Sequence, residues 1–418
     1  MKRIEGYDVK VFTDNVEESA MDQIMKLISI DVFADKKIRI MPDVHAGAGC
    51  VIGFTGDLGD KVIPNIVGVD IGCGMRVLRL GGTGEIDFHA FHEHIISSVP
   101  SGMMIREEKR GFNALQGDEM ELYREAKSLL NSLRCYRDLK NVDRIKKSIG
   151  TLGGGNHFIE LDKDDHENIY LVIHTGSRNL GKQVAEIYQE KAVKHLTEGA
   201  DEFEAEIRRT IEEFKAAGRR DELQSVIKKM RQKQAKAEPR LPKDLCYLEG
   251  ERREDYLHDM RICQHWAVVN RKLISLLLMR FFAGATIEEE FESIHNYISD
   301  DNMIRKGAIS ASRGERCIIP LNMRDGSLIC TGKGNDDWNR SAPHGAGRVL
   351  SRSQAYEKIK MEDFVASMEG IYSESVNDFT RDESPMVYKP SEEILANIGD
   401  TVTVERIIRP IFNFKAIN

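Results

Sequence analysis

Six short polar motifs, each next to glycine or other small residues, lie far apart along this chain of 418 residues. They interrupt segments rich in Val and Ile, a pattern typical of buried β-strands. Glycine permits sharp turns and close backbone approach, so a polar side chain beside it is often presented to a cleft. The motifs are DVH (43–45), GVDIGCG (68–74), LGGGNHFIE (152–160), VIHTGSR (172–178), SIHNYI (293–298) and SAPHGAGR (341–348). They are therefore candidates for functional positions.

Strand-like and helix-like segments both occur along the chain. Short Gly-, Val- and Ile-rich runs broken by turn residues lie at 38–80, 169–177 and 316–332. Helical periodicity predicts helices at 88–99, 117–149, 182–237 and 255–282, and the segment 286–298 is interpreted as helical as well. We therefore predict an α/β (α+β) fold.

Residues 197–240 differ from the rest because they are densely charged and end near Pro239 and Pro242. Charges of both signs alternate along this segment. That pattern favours a helical hairpin with a solvated face. A nucleic-acid-binding arm is the alternative interpretation.

The amino-acid composition limits the classes of protein to which this chain can belong. A hydrophobic content of 41% is enough for a large core. No apolar run approaches the roughly 20 residues that a membrane span needs, and the first residues lack the apolar stretch of a secretory signal. The seven cysteines are scattered without CxxC pairs, so reduced thiols and a cytoplasmic location are expected. A net charge of -8 argues against a globally basic nucleic-acid-binding surface, although a local basic site is compatible with it.

Five residues of the motifs form a candidate metal-binding set. A carboxylate, a thiolate and three imidazoles together suit a divalent transition ion, and Zn, Mn, Fe and Co all remain open. Each residue alone has an ordinary structural explanation, such as a buried cysteine or a satisfied histidine. The set is Asp70, Cys73, His157, His174 and His295.

Two other sequence features give weaker evidence of a functional role. His89, His92 and His94 lie on a polar amphipathic helix without glycine neighbours, so we interpret them as surface histidines. The three glycines before Asn156 fit either a loop that cradles anionic oxygens or a simple tight turn.

Taken together, the motifs resemble the RtcB family of RNA ligases, which join RNA ends using GTP and manganese. The resemblance runs from MPDVH through GVDIGCGM, LGGGNHFIE, IHTGSR, HNYI and SAPHGAGRVLSR to the carboxyl-terminal FNFKAIN. It implies a single catalytic fold peculiar to this family over residues 1–418, with the active site in a cleft. The charged segment 197–240 would be a helical insertion within that fold.

The resemblance also implies a role for each motif. His344 would carry GMP through a phosphoramidate bond, Asp43 would orient His344, and Arg178 would contact RNA phosphate. Two Mn²⁺ ions would be held by Asp70, Cys73, His157, His174 and His295, with Cys73 bridging them. The nucleotide would be surrounded by Asn156, Phe158, Glu160, Asn296, Pro320, Met323, Ser327, Gly345, Ala346, Gly347, Tyr388 and Lys415.

The chemistry of these residue types agrees with the implied roles. A neutral imidazole is nucleophilic near pH 7 and can leave again once phosphorylated, so His344 could transfer a nucleotidyl group. Gly345 and Gly347 would let a phosphate approach the backbone. Arg348 and Arg352 would steady the loop or neutralise phosphates, and the sequence does not separate these two roles. The cations expected near the RNA ends are Arg178, Arg313, Arg316, Lys333, Arg340 and Arg348.

The implied function is the ligation of RNA 2′,3′-cyclic phosphate or 3′-phosphate ends to 5′-hydroxyl ends, in tRNA splicing or RNA repair. The pathway would pass through histidine–GMP and an RNA end activated with GMP. One alternative is a metal-dependent cyclic phosphodiesterase without ligation, which would need neither His344 nor Lys415. The other is a non-catalytic RNA-end-binding protein.

One loop departs from the family pattern. Many members carry a PGSMG-type loop, whereas this chain reads IPLNMRDGS over 319–327, with Leu321 and Asn322 in place of Gly and Ser. Pro320, Met323 and Ser327 keep their relative spacing. The difference suggests a divergent substrate, such as cleaved tRNA or ribosomal RNA.

Overall fold

Strands from both halves of the chain build two main sheets in the computed structural model, which describes residues 1–33, 35–107, 112–235 and 241–416. The predicted α/β (α+β) fold is confirmed. The strands are β1 (Lys2–Ile4), β2 (Val9–Val11), β3 (Ile38–His45), β4 (Ile52–Asp57), β5 (Lys61–Val62), β6 (Gly74–Gly81), β7 (Phe158–Lys163), β8 (Ile169–Thr175), β9 (Leu248–Glu249), β10 (Thr286–Ile294), β11 (Asn296–Ile298), β12 (Met303–Lys306), β13 (Ala308–Ser310), β14 (Arg316–Asn322), β15 (Gly326–Gly332), β16 (Ser341–Pro343) and β17 (Val402–Lys415).

Helices separate many of the strands along the chain. They are α1 (Glu18–Ile28), α2 (Pro64–Val67), α3 (Phe88–Ser98), α4 (Gly117–Asn131), α5 (Val142–Lys147), α6 (Arg178–Ala216), α7 (Arg220–Ala235), α8 (Gly250–Met279), α9 (Arg352–Lys358), α10 (Met361–Ser367) and α11 (Ser391–Ile398). Short 3₁₀ turns occur at Phe112–Ala114, Tyr136–Asp138, Lys243–Leu245, Asp336–Trp338, Asp378–Glu383 and Pro385–Val387. Across the described ranges, no helix is long and apolar enough to cross a membrane.

The sheet orders explain how distant motifs meet. One sheet has the order β1-β2-β3-β4-β12-β11, and the other has the order β10-β6-β8-β7-β17-β15-β14. His295 lies between β10 of the second sheet and β11 of the first. Its backbone N–H donates to the carbonyl of Cys73 at 3.0 Å, just before β6 begins. The two sheets therefore approach each other at a pair of candidate metal ligands.

The long helix α8 packs in the main hydrophobic core and fixes the loops beside this junction. Tyr256 and Trp266 on α8 are fully buried. Arg271, also on α8 and fully buried, donates to the carbonyls of Gly72 and Thr175, both at 2.9 Å. It also pairs with Glu292 at 2.9 Å, which offsets the cost of burying the guanidinium. This one side chain therefore ties three candidate site segments to the core.

The helix predicted over 286–298 is wrong, because this segment forms β10 and β11. β10 is an edge strand whose glutamates pair with arginines of β6 and β14. Glu290 meets Arg76 at 2.5 Å, and Glu289 meets Arg316 at 2.6 Å. Cross-strand ion pairs of this kind compensate for the low strand propensity of glutamate.

The other predicted helices are found with changed bounds. The helix predicted over 117–149 is broken into α4 and α5, and Asn141 between them adopts a left-handed φ of 51° and caps α5. The charged segment is helical over 197–235, where α6 and α7 meet at a turn containing Gly218 with φ of 72°. Residues 236–240, including Pro239, lie outside the described residues. That 197–240 is an insertion within one domain stays a prediction.

Candidate active site

The five candidate metal ligands come together from four separate parts of the chain. Cys73 Sγ lies 3.5 Å from His157 Nε2 and 3.4 Å from His174 Nε2. His174 Nε2 lies 3.4 Å from His295 Nε2, and His157 Nε2 lies 3.0 Å from Asp70 Oδ2. The thiol and all three imidazoles are buried. Donor atoms at these separations can share a cation.

Backbone carbonyls orient two of the imidazoles. Nδ1 of His157 lies 2.9 Å from the Leu152 carbonyl, and Nδ1 of His174 lies 3.1 Å from the Asn156 carbonyl. A carbonyl only accepts hydrogen bonds, so in His174 Nδ1 carries the proton and Nε2 is left with a lone pair directed into the cluster, which is the tautomer that metal ligation requires. Nδ1 of His157 also lies 3.1 Å from a guanidinium nitrogen of Arg178, which can only donate.

Burial also favours neutral ligands. It lowers the pKa of His174 and His295 well below the usual value, because a charged imidazolium would lose its hydration. Burial likewise raises the pKa of the Cys73 thiol, and the neighbouring Asp70 carboxylate raises it further. A bound dication would reverse the effect on the thiol by favouring the thiolate.

The cluster divides into two overlapping groups of donors. One group is Cys73, His174 and His295, and the other is Asp70, Cys73 and His157, with the donor atoms of each within 4.8 Å of one another. Cys73 belongs to both groups. The geometry therefore suits two ions that share one sulfur ligand.

His344 stands beside this cluster and is held by a buried carboxylate. Its Nδ1 lies 2.6 Å from Oδ2 of Asp43, and the same oxygen accepts the His344 backbone N–H at 3.2 Å. Asp43 is fully buried on β3, whereas the His344 side chain is 19% exposed after β16. The ring of His344 lies 4.8 Å from that of His295. Since Asp43 occupies Nδ1, Nε2 is the nitrogen available for chemistry.

The glycines of this loop have a specific steric role. Gly347 has φ of 77°, and a Cβ there would lie 2.2 Å from the carbonyl oxygen of Asp43. Any other residue at position 347 would push the loop that carries His344 away from β3. Glycine at this position therefore keeps His344 within reach of Asp43.

A cavity of about 310 Å³ opens in front of His344 and the metal-ligand cluster. Its size lies at the lower end of the usual range for small-molecule sites. It is lined by His45, Ile52, Asp70, Cys73, Asn156, Phe158, Glu160, His174, His295, Asn296, Gly307, Pro320, Leu321, Asn322, Met323, His344, Gly345, Ala346, Gly347, Arg348, Arg352, Tyr388 and Lys415. Most residues expected around the nucleotide are among them.

A buried ion-pair network forms one wall of the cavity. Glu383 accepts from Lys415 Nζ at 3.0 Å, from Arg348 at 3.1 Å and from the Tyr388 hydroxyl at 2.6 Å. Burial alone would raise the pKa of Glu383, but Lys415 and Arg348 lower it to about 2. The carboxylate is therefore ionised and holds both cations at the cavity wall.

Glu160 lies on β7 next to the strand that carries Lys415 and accepts a hydrogen bond from Asn413. Burial raises the pKa of Glu160 to about 7, although Lys415 and Asn413 oppose this shift. The cavity thus contains a carboxyl group that titrates near neutral pH.

Four predicted site residues do not line the cavity. Asp43 and His157 lie behind His344 and Asp70, which they contact. The guanidinium of Arg178 packs over Gly153, where a Cβ would lie only 1.8 Å from it. Ser327 is fully buried in β15 and its hydroxyl has no hydrogen-bond partner among the described residues. The structure therefore does not bring Ser327 to the site.

The altered loop at 319–327 has a clear local structure. Oδ1 of Asn322 accepts the backbone N–H groups of Arg324 and Asp325 at 3.0 and 2.9 Å, and its Nδ2 donates to the Asp325 carboxylate at 2.8 Å. The amide of Asn322 is thus used within its own turn. Pro320, Leu321 and Met323 give this wall of the cavity its apolar side chains.

Sequence reasoning missed Glu383 and His45 and misplaced several other groups. Glu383 lies in a short polar run without glycine neighbours, and its only signal in the sequence is that Tyr388 follows five residues later. Three arginines and lysines expected near RNA ends are used elsewhere: Arg316 pairs with Glu289, Arg340 with Asp301, and Lys333 with the Gly399 carbonyl. The surface interpretation is wrong for His92, which is buried against Phe414.

Comparison with known proteins agrees with the motifs. Residues 23–416 match the family described as tRNA-splicing ligase RtcB. The RNA-splicing ligase RtcB of Escherichia coli K12 is 29% identical, over 98% of each chain. The tRNA-splicing ligases RtcB of Aeropyrum pernix and Archaeoglobus fulgidus are 27% and 25% identical, over 89% and 85% of this chain and 86% and 82% of theirs. Because the family match covers nearly the whole sequence, this chain belongs to the RtcB family.

Proposed function

We propose that this chain is an RNA ligase that joins 2′,3′-cyclic phosphate or 3′-phosphate RNA ends to 5′-hydroxyl ends, in tRNA splicing or RNA repair. GTP is a substrate and two Mn²⁺ ions are cofactors. Membership in the RtcB family supports RNA ligation. The observation that carries the rest is the 2.6 Å contact between Asp43 and His344 beside a buried cluster of metal ligands.

The donor set fits two divalent ions. Oδ1 of Asp70 is buried without a hydrogen-bond partner within the described part of the chain, and Cys73 belongs to both donor groups. We assign His174 and His295 to one ion, Asp70 and His157 to the other, and Cys73 to both. When bound, the ions would neutralise phosphate charge at the reacting centre.

His344 is the proposed nucleophile. Its Nε2 attacks the α-phosphorus of GTP, a P–N bond forms, the bond to the β-phosphate breaks, and pyrophosphate leaves. The ring becomes cationic in this step, and the Asp43 carboxylate stabilises it through Nδ1. Lys415 and Arg348, held by Glu383, supply positive charge along the cavity wall.

In the second step, GMP is transferred from His344 to the RNA end. An oxygen of the RNA 3′-phosphate attacks the same phosphorus, and the P–N bond to His344 breaks. The 5′-hydroxyl of the second RNA attacks the activated 3′-phosphate, and GMP leaves. When the RNA end is a 2′,3′-cyclic phosphate, hydrolysis to the 3′-phosphate precedes these steps. Both sheets supply residues to this site, which supports one catalytic domain with 197–240 as an insertion.

Labelling with GTP tests the proposal directly. Protein mixed with α-phosphate-labelled GTP and Mn²⁺ should retain acid-labile label, and RNA with a 3′-phosphate should discharge it. His344→Ala should take no label. His265→Ala is the matched control, because His265 is an exposed histidine on α8 paired with Glu125. Label on the His344→Ala protein at the wild-type level would show that the nucleophile is another residue.

A further inference from the structure

A turn beside the glycine loop of the candidate site exposes two adjacent methionines. Met103 is 77% exposed and Met104 is 59% exposed. Single exposed apolar residues are ordinary, whereas an adjacent apolar pair at the edge of a functional site is a candidate contact surface. Methionine suits such contacts because its thioether is polarisable and packs well on aromatic rings.

Hydrogen bonds hold the backbone of this turn, although the side chains of Met103 and Met104 are exposed to solvent. The N–H of Met104 donates to the Ser101 carbonyl at 3.1 Å, and the N–H of Gly102 donates to the Gly153 carbonyl at 3.0 Å. Arg144 donates to the carbonyl of Met103 at 2.9 Å. The turn is therefore a preformed support that presents both thioethers to solvent.

The turn is continuous with the cavity through the glycine loop. Gly153 contacts the turn on one side and lies beneath the Arg178 guanidinium on the other. Two residues later, a Cβ on Gly155 would lie 3.3 Å from the guanidinium of Arg352, which lines the cavity. An extended ligand that leaves the cavity past Arg352 and Arg178 would thus reach the two methionines.

The charges around the turn indicate the chemical class of this ligand. The chain has a net charge of -8, yet the short helix α5, whose Arg144 holds the turn, carries three basic residues, Arg144, Lys146 and Lys147, against one acidic residue, Asp143. An apolar platform beside cations fits single-stranded nucleic acid, whose bases present flat faces and whose phosphates are anionic.

We propose that Met103 and Met104 form a docking platform for a nucleobase of the RNA strand, a few nucleotides from the reacting end. Arg144 pairs with an adjacent phosphate. This inference rests on the proposed function for the identity of the strand. It adds a subsite outside the cavity that tightens RNA binding without contacting GTP.

The test uses the full chain with both methionines changed, Met103→Ser/Met104→Ser. Both side chains are exposed, so the fold should be retained. Val365→Ser is the control, because Val365 is a 56% exposed residue on α10. The measurements are the Kd for a fluorescent 3′-phosphate RNA, the KM for RNA in ligation, and GMP labelling without RNA. A second set consists of four RNAs, each of which lacks the base at one of the last four nucleotides.

We expect the double variant to raise the RNA Kd and KM about tenfold and to leave GMP labelling unchanged. Removing one particular base should weaken binding to the wild type by a similar factor and to the double variant by less than twofold. A Kd within twofold of the wild type, or equal base-removal effects in both proteins, overturns the platform. A change in oligomeric state with an unchanged Kd also overturns it, because the surface then binds protein. If the wild type takes no GMP label, the proposed function fails, and the RNA Kd still decides the platform.

Discussion

The contact between Asp43 and His344 can be weakened without changing its shape. Asp43→Asn keeps the size of the side chain and removes its charge. Asp43 is fully buried, and its Oδ2 accepts both the Nδ1–H of His344 at 2.6 Å and its backbone N–H at 3.2 Å. An asparagine oxygen can still accept both bonds, so the loop should stay in place.

The expected effect follows from the charge. A hydrogen bond to a charged group contributes about 1.5–3 kcal/mol, against about 1 kcal/mol for a neutral pair. The charge matters most once the P–N bond forms, because the ring is then cationic and Asp43 lies 2.6 Å from it. The Asp43→Asn variant keeps a neutral hydrogen bond, so the loss is the difference, about 0.5–2 kcal/mol, and guanylylation is predicted to be slower by about 2- to 30-fold.

The assay is the initial rate of label transfer from GTP to the protein, normalised to the folded fraction. Asp259→Asn is the matched control, since Asp259 is also fully buried but accepts from the Arg134 N–H and the Tyr188 hydroxyl, both at 2.8 Å. The control should lower thermal stability and leave the rate per folded molecule unchanged. A rate for Asp43→Asn equal to that of the wild type, or equal slowing in the control, would refute the reasoning.

Three further predictions address the metal site, pH and the charged hairpin. Cys73→Ala should sharply reduce Mn²⁺ content, because it removes the ligand common to both donor groups; unchanged metal analysis would contradict this. Glu160 has a pKa of about 7, above its ordinary value of 4.5, so its ionisation opposes folding as pH rises through this range. Glu160→Gln should therefore raise the Tm at pH 8 but not below pH 4.5, and an equal change at both pH values would exclude the mechanism. Deletion of residues 200–236 with a short linker should leave GMP labelling intact, and its loss from a folded variant would place the hairpin in the site.

The sequence predicts the fold class and a set of candidate site residues, but it does not predict every element. His157, His174 and His295 each have an ordinary structural explanation when taken alone, and they are recognisable as candidate ligands only together with Asp70 and Cys73. The strand β10 was misread, since its run of glutamates is stabilised only by arginines of other strands. A pattern within one segment carries no information about such partners, so tertiary pairing decides between helix and strand there.

Glu383 shows the same limit inside the site. Lys415 and Tyr388 are identifiable from their motifs, but the carboxylate that joins them is not, because its contacts are to a strand and a loop elsewhere in the chain. Two cations and a hydroxyl converge on this one buried group, and removing it would leave Lys415 and Arg348 unpaired beside the cavity. An anionic ligand bound here must compete with Glu383 for the same cations. The affinity of the cavity for phosphate therefore depends on a residue outside every recognisable motif.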